Sequence, residues 1–121
     1  VRKLTVTVEL TSMVKLQGKL GVTVVNDEKQ MKETFGEDIA KQITGKIDFA
    51  TEDLVHVGWE SFGPPFGDLL FEANNGKNIT FYIKEPKVEM RGAAYRGAAY
   101  RLGNAFFAVP KKAEIKFDGR K

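Results

Sequence analysis

The sequence predicts an α+β fold: an antiparallel, strongly twisted sheet or half-barrel of about seven strands, with one short helical pair packed on it. Three observations carry this. Apolar and polar residues alternate over much of the chain, the period-two signature of strands with one buried face. One segment, roughly residues 28–44, repeats its apolar residues every four instead. Glycine, asparagine and proline turn signals separate the alternating runs. A β-sandwich with a helical insertion is the alternative. The 121 residues are the usual length of a single domain, taken as 1–121.

Residues 4–24 put Leu4, Val6, Val8, Leu10, Val14, Leu16, Leu20, Val22 and Val24 on even positions and mostly polar residues on odd ones. Gly18 is the natural turn. A three-residue loop, Gln17-Gly18-Lys19, keeps the faces matched and pairs Leu16 with Leu20 and Val14 with Val22. One long strand bent at Gly18 is the other reading. Asp27 with Gln30 fits a helix-capping box, with Val25 beside it as a staple residue. Met31, Phe35, Ile39 and Ile43 then mark a helical face. Gly36 interrupts it, which predicts two short helices or one kinked helix across Glu28–Thr44. Gly45 is a stop signal.

The second half reads as strands. In Leu54–Glu60, Val55, Val57 and Trp59 share a core face and His56 lies on the other, half exposed. A loop, Ser61–Asp68, follows. Leu69, Phe71 and Ala73 then face Ile79, Phe81 and Ile83 across an Asn75-Gly76 turn, with Phe71 opposite Phe81 and Leu69 opposite Ile83. Pro86 ends that strand. The last predicted hairpin joins Ala105–Val109 to Ala113–Phe117 through Pro110-Lys111-Lys112, with Phe107 opposite Ile115. Short loops imply antiparallel pairing throughout, and Gly119-Arg120-Lys121 is expected to fray.

Composition excludes several chemistries. There are no cysteines, so disulfides, thiolate metal sites and cysteine nucleophiles are out. One histidine cannot build a His-rich metal centre, and the carboxylates lack EF-hand spacing. No nucleophile-elbow, dinucleotide-binding or Walker A pattern occurs. No catalytic residue, cofactor or metal is expected. No apolar run reaches the roughly 20 residues of a membrane span. The net charge of +3 does not by itself point to nucleic acid. No signal peptide is visible, and the chain begins at Val1, which fits a mature or trimmed form.

Two stretches are candidates for binding a partner. Phe62-Gly63-Pro64-Pro65-Phe66-Gly67 places two aromatics on a stiff Pro-Pro turn, either as an anchor for a partner or as rings capping the core. Arg91-Gly92-Ala93-Ala94-Tyr95 is duplicated as Arg96-Gly97-Ala98-Ala99-Tyr100, followed by Arg101. Arg and Tyr together can stack on bases and pair phosphates. A five-residue period turns roughly 140° on a helix and alternates faces on a strand, so only a loop collects these residues on one side. The competing reading is a local duplication bulging from a loop. A third possibility, a small-ligand or hydrolytic half-barrel, needs a pocket around Trp59 and His56.

The segments Ile47-Asp48-Phe49, Leu54-Val55-His56-Val57-Gly58-Trp59 and Phe106-Phe107-Ala108-Val109-Pro110-Lys111 resemble a group of uncharacterised exported bacterial proteins. They are also similar to the C-terminal domain of the protease-complex subunit PrcB. The resemblance covers Ile47–Phe117. It departs at Gly63-Pro64-Pro65-Phe66, where the family has a Thr-Gly-Gly-Tyr type of turn. It implies an exported (periplasmic or extracellular), non-enzymatic, mainly β module, protease- or envelope-associated, with no catalytic residues to carry over. The expected function is therefore binding of a protein partner. The alternative is binding of a polyanion or single-stranded nucleic acid through Arg91, Tyr95, Arg96, Tyr100 and Arg101.

Overall fold

The computed structural model describes residues 1–8, 16, 19–62, 68–74, 77–84 and 100–120. Among the described residues the chain is α+β, with seven strands and a pair of short helices. In order these are β1 (Arg2–Leu4), β2 (Gly21–Val25), α1 (Glu28–Phe35), α2 (Glu37–Ile43), β3 (Glu52–Phe62), β4 (Asp68–Asn74), β5 (Asn78–Lys84), β6 (Tyr100–Pro110) and β7 (Glu114–Arg120). The strands divide into a four-stranded sheet, β1-β6-β3-β2, and a three-stranded sheet, β4-β5-β7. The helical pair covers one face of the larger sheet and the smaller sheet packs on the other.

The helical pair forms as its residues predict. Asp27 caps α1, its Oδ1 accepting from the Gln30 amide at 2.7 Å. Gln30 reaches back, its Oε1 accepting from the Asn26 amide at 3.0 Å. Gly36 ends α1 and begins α2 at φ 88°, ψ 168°, a conformation open almost only to glycine. Met31, Phe35, Ile39, Ala40 and Ile43 are buried against Leu4, Val25, Leu54, Phe106 and Ala108. A second core lies between the sheets, built from Val55 and Val57 of β3, Ile79 and Phe81 of β5, and Ala105, Phe107 and Val109 of β6. The β4–β5 hairpin has the predicted register, Phe71 opposite Phe81 and Leu69 opposite Ile83.

The first predicted hairpin does not form. Leu16 is helical, and its carbonyl accepts from the Lys19 amide at 2.9 Å. β2 pairs with β3, Val22 opposite Val57, while β1 pairs with β6 at the far edge of the sheet. Val14 lies outside the described residues. A single bent strand is also excluded, because residues 5–8 leave the ladder after Leu4. The reason is visible at Thr7. Its amide donates to Gln42 Oε1 at 2.7 Å, and its carbonyl accepts from Gln42 Nε2 at 2.8 Å. A side-chain amide from α2 satisfies the backbone that a neighbouring strand would otherwise take. Val6 and Val8 still pack on the helical core, so the alternation is real although the ladder is not.

The last predicted hairpin is replaced as well. β7 crosses to the other sheet and pairs parallel with β5, which also overturns the expectation of antiparallel pairing throughout. Lys112 takes a left-handed turn, φ 65°, and its amide donates to Asp53 Oδ2 at 3.2 Å. The Glu114 amide donates to the Lys77 carbonyl at 2.6 Å, which starts β7 along β5. Phe107 and Ile115 belong to the same inter-sheet core without being strand partners, Ile115 standing opposite Ile79. Gly119 and Arg120 remain within β7, Arg120 opposite Ile83, because the ladder with β5 holds them; Lys121 lies outside the described residues.

Candidate functional site

The β3–β6 ladder is the frame for every candidate residue. Its register runs from Glu52 opposite Pro110 to Phe62 opposite Tyr100. β3 lies between β6 and β2, with helices on one face and a sheet on the other, so Leu54, Val55, His56 and Val57 are all fully buried. Three places along this ladder carry chemistry.

At the far end lie the described residues of the two predicted binding stretches, Phe62, Tyr100 and Arg101. Phe62 is the last residue of β3, not part of a loop, and Tyr100 and Arg101 are the first two of β6. Phe62 is the register partner of Tyr100, and Ser61 of Arg101. The expectation that the whole Arg/Tyr repeat bulges from a loop is therefore corrected at its last two residues, which the ladder with β3 draws into a strand. Pro64, Pro65, Phe66, Arg91, Tyr95 and Arg96 lie outside the described residues. In the chain, residues 63–67 follow Phe62 and residues 85–99 precede Tyr100. Both candidate stretches thus attach to adjacent positions of one rigid ladder.

At the middle lies His56, fully buried rather than half exposed. The helical pair covers the face that alternation assigned to solvent. Its ring sits 5.4 Å from Phe35 and 4.9 Å from Phe106, centroid to centroid, and Nε2 lies 2.8 Å from Asn104 Oδ1. An oxygen acceptor there selects the Nε2–H tautomer. Nδ1 has no hydrogen-bond partner among the described residues. Burial holds the imidazole below its ordinary pKa, the Asn104 hydrogen bond opposes this, and the charge of Lys19 adds to it. Asn104 was not singled out by sequence reasoning; its signal is its phase, since it falls on the same face as Phe106 and Ala108.

At the near end, Asp53 is buried on β3. Its Oδ1 accepts from Lys111 Nζ at 2.7 Å, and Lys111 also donates to the Asn26 carbonyl at 3.2 Å. Burial alone raises the Asp53 pKa. Hydrogen bonds from Lys111, the Asn26 side chain and the Lys112 amide, with the Lys111 charge, outweigh it and hold the carboxyl below its usual range. This cluster ties the start of α1 to the β6–β7 turn. Sequence reasoning missed Asp53 too, although it is in phase with Val55 and Val57.

A cleft of about 320 Å³ opens beside α1 and the turn after α2. Glu28, Thr44 and Asp48 rim it, and Met31, Ile47 and Phe49 supply apolar walls. Neither Trp59 nor His56 lines it, and the two point to opposite faces of β3. Among the described residues no group of three His, Cys, Asp or Glu side chains is placed to hold a metal, and no helix is long and apolar enough to cross a membrane. No family model, curated protein or solved structure matches the chain.

Proposed function

We propose that the chain is a non-enzymatic, exported binding module that engages a protein partner at the Phe62–Tyr100 end of the β3–β6 ladder. The register pairing of Phe62 with Tyr100 supports this reading most directly. It joins two segments with unusual aromatic, proline and arginine content to one end of a strand pair whose body is buried on both faces. Binding residues anchored by a rigid ladder lose less conformational freedom on association than residues on independent loops. The resemblance of Ile47–Phe117 to exported bacterial proteins and to PrcB supports export and envelope or protease association.

The test compares wild type with the double variant Phe62→Ala, Phe66→Ala in quantitative capture of partners from the periplasmic or extracellular fraction. Selective loss of a captured protein, with thermal stability retained, is expected. An unchanged set of partners sinks the reading for the Phe/Pro stretch. Arg101, one position along from Tyr100, favours polyanion binding as the second reading. Retention on heparin that falls with salt, and falls further when Arg91, Arg96 and Arg101 are changed to Gln, is what that reading requires. Absence of retention at low salt removes it.

A further inference from the structure

We propose that His56 is an acid-released latch: neutral, it joins the α1–α2 pair to the four-stranded sheet, and protonated, it loosens that joint. The inference is independent of the partner-binding reading, because it concerns the opposite side of the frame from the inter-sheet core and none of the same residues.

The geometry sets the latch. The His56 ring is shared by three elements: its own strand β3, the last turn of α1 through Phe35, and β6 through Phe106 and Asn104. Phe35 and Phe106 also meet edge to face at 5.2 Å, so the three rings form one closed cluster. The segment before β2 closes the fourth side. The Lys19 carbonyl lies where a side chain on Gly58 would be, which brings Lys19 alongside the ring.

Protonation sets these surroundings against the ring. Imidazolium has two N–H donors, and among the described residues only Nε2 has an acceptor. The new Nδ1–H is buried and unpaired, a state that costs far more than a surface charge. The groups that face the ring do not neutralise it. Phe35 from α1, and Phe106 and Asn104 from β6, are uncharged, and Lys19 from the segment before β2 repels it. On β3 itself the carboxylates of that face are Glu52 and Glu60, each four residues away, roughly 13 Å by strand rise. Glu52 is held by Arg2 at 3.3 Å. Cation–π attraction from two phenyl rings offsets part of the cost but supplies no acceptor.

The helical side of this joint yields before the sheet does. β3 and β6 are hydrogen-bonded along their whole length, whereas α1 and α2 hold to the sheet mainly by side-chain packing, with polar ties at Asn26 before α1 and at Gln42 of α2. Segments attached mainly by packing open in smaller units than central strands. Acidification therefore frees the helical pair while the β3–β6 and β4-β5-β7 ladders persist.

Amide hydrogen exchange on the whole chain tests this, corrected for intrinsic exchange and followed from about pH 7.5 to 5, the range in which histidines titrate. Amides of α1 and α2 are expected to lose protection at least roughly tenfold while those of β5 and β7 hold. Asn104→Asp places a carboxylate on Nε2, stabilises the cation, and moves the loss to lower pH or removes it. His56→Leu removes it altogether. Should the leucine variant fail to fold, Asn104→Asp and the wild-type His56 ring titration by NMR still decide. Three results overturn the latch: a His56 ring that titrates with α1 and α2 still protected, loss of protection in helices and sheets together, or an acid response in Asn104→Asp equal to that of wild type.

Discussion

The indole of Trp59 occupies the space that a side chain on Gly103 would fill. The two residues are register partners on β3 and β6, and a Cβ at position 103 would collide with Cδ2, Cε2 and Cζ2 of the ring. An aromatic lying over a cross-strand glycine covers backbone that would otherwise be bare and pins the register of the pair. Gly103→Ala is therefore expected to destabilise the fold by about 1–3 kcal/mol through overpacking. Urea denaturation measures it. Combining it with Trp59→Val should cost less than the sum of the single changes, because the collision is then relieved. Additive losses would show that the ring does not lie over position 103.

Asp53 makes stability depend on acid in a defined window. Its folded pKa is below the unfolded value, so the unfolded state binds the proton first as pH falls. The contribution is complete above the unfolded value of about 3.9 and is lost as pH falls through the folded one. Asp53→Asn should cost about 1–3 kcal/mol at neutral pH, the range for hydrogen bonds to a charged group, with the Lys111 contribution reduced by that residue's partial exposure. The gap between wild type and variant should close below about pH 4. A gap that is constant down to pH 2, on the order of two units below the unfolded value, would mean that the carboxylate carries no charge-dependent stability.

The contrast between Phe71 and His56 shows what was legible and what was not. Phe71 opposite Phe81 follows from alternation and one Asn-Gly turn, because a local hairpin is specified by phase and loop length together. The helical pair was equally legible, since Asp27, Gly36 and the four-residue spacing act over one or two turns. Alternation fixes which residues share a face but is silent on what covers the opposite one. Val24 is 37% exposed while Val25 is fully buried, the reverse of the even-position pattern, because the helical pair covers the odd face of β2. His56 was misplaced for the same reason. Strand partners distant in sequence, β1 with β6 and β5 with β7, depend on such layers and leave no local mark. At the candidate site, the aromatic and arginine stretches were legible as composition. The pairing of Phe62 with Tyr100 is a product of register.

Gln42 holds the chain after β1 where a strand would otherwise be expected. Its side-chain amide makes both hydrogen bonds to Thr7 and a third, at 3.3 Å, to the Asp38 carbonyl. Gln42→Ala releases both Thr7 groups. The site is exposed, so water replaces the lost partners and the cost should be about 1 kcal/mol. The sharper readout is local: the Thr7 amide should exchange at least roughly tenfold faster, while amides of β3 are unchanged. Gln42→Glu keeps an acceptor for the Thr7 amide but loses the donor for its carbonyl, and should fall between the two. Unaltered exchange at Thr7 in Gln42→Ala would show that another group orders residues 5–8.

Gly36 is the hinge on which the two helices turn. It closes α1, its amide donating to the Lys32 carbonyl at 2.9 Å, and opens α2, its carbonyl accepting from the Ala40 amide at 3.1 Å. At φ 88° and ψ 168° no L-side chain is relaxed. Gly36→Ala forces either strain at this residue or a change in the angle between the helices. Strain alone is expected to cost about 1–3 kcal/mol. A change of angle would pull Phe35 away from His56 and Phe106, since Phe35 is adjacent to the hinge. The two outcomes separate by NMR. Strain leaves the ring-current shifts of the His56 and Phe106 protons intact, whereas reorientation alters them. A stability equal to wild type with unchanged shifts would mean that position 36 does not need a glycine conformation, and the two helices would then be joined by their packing alone.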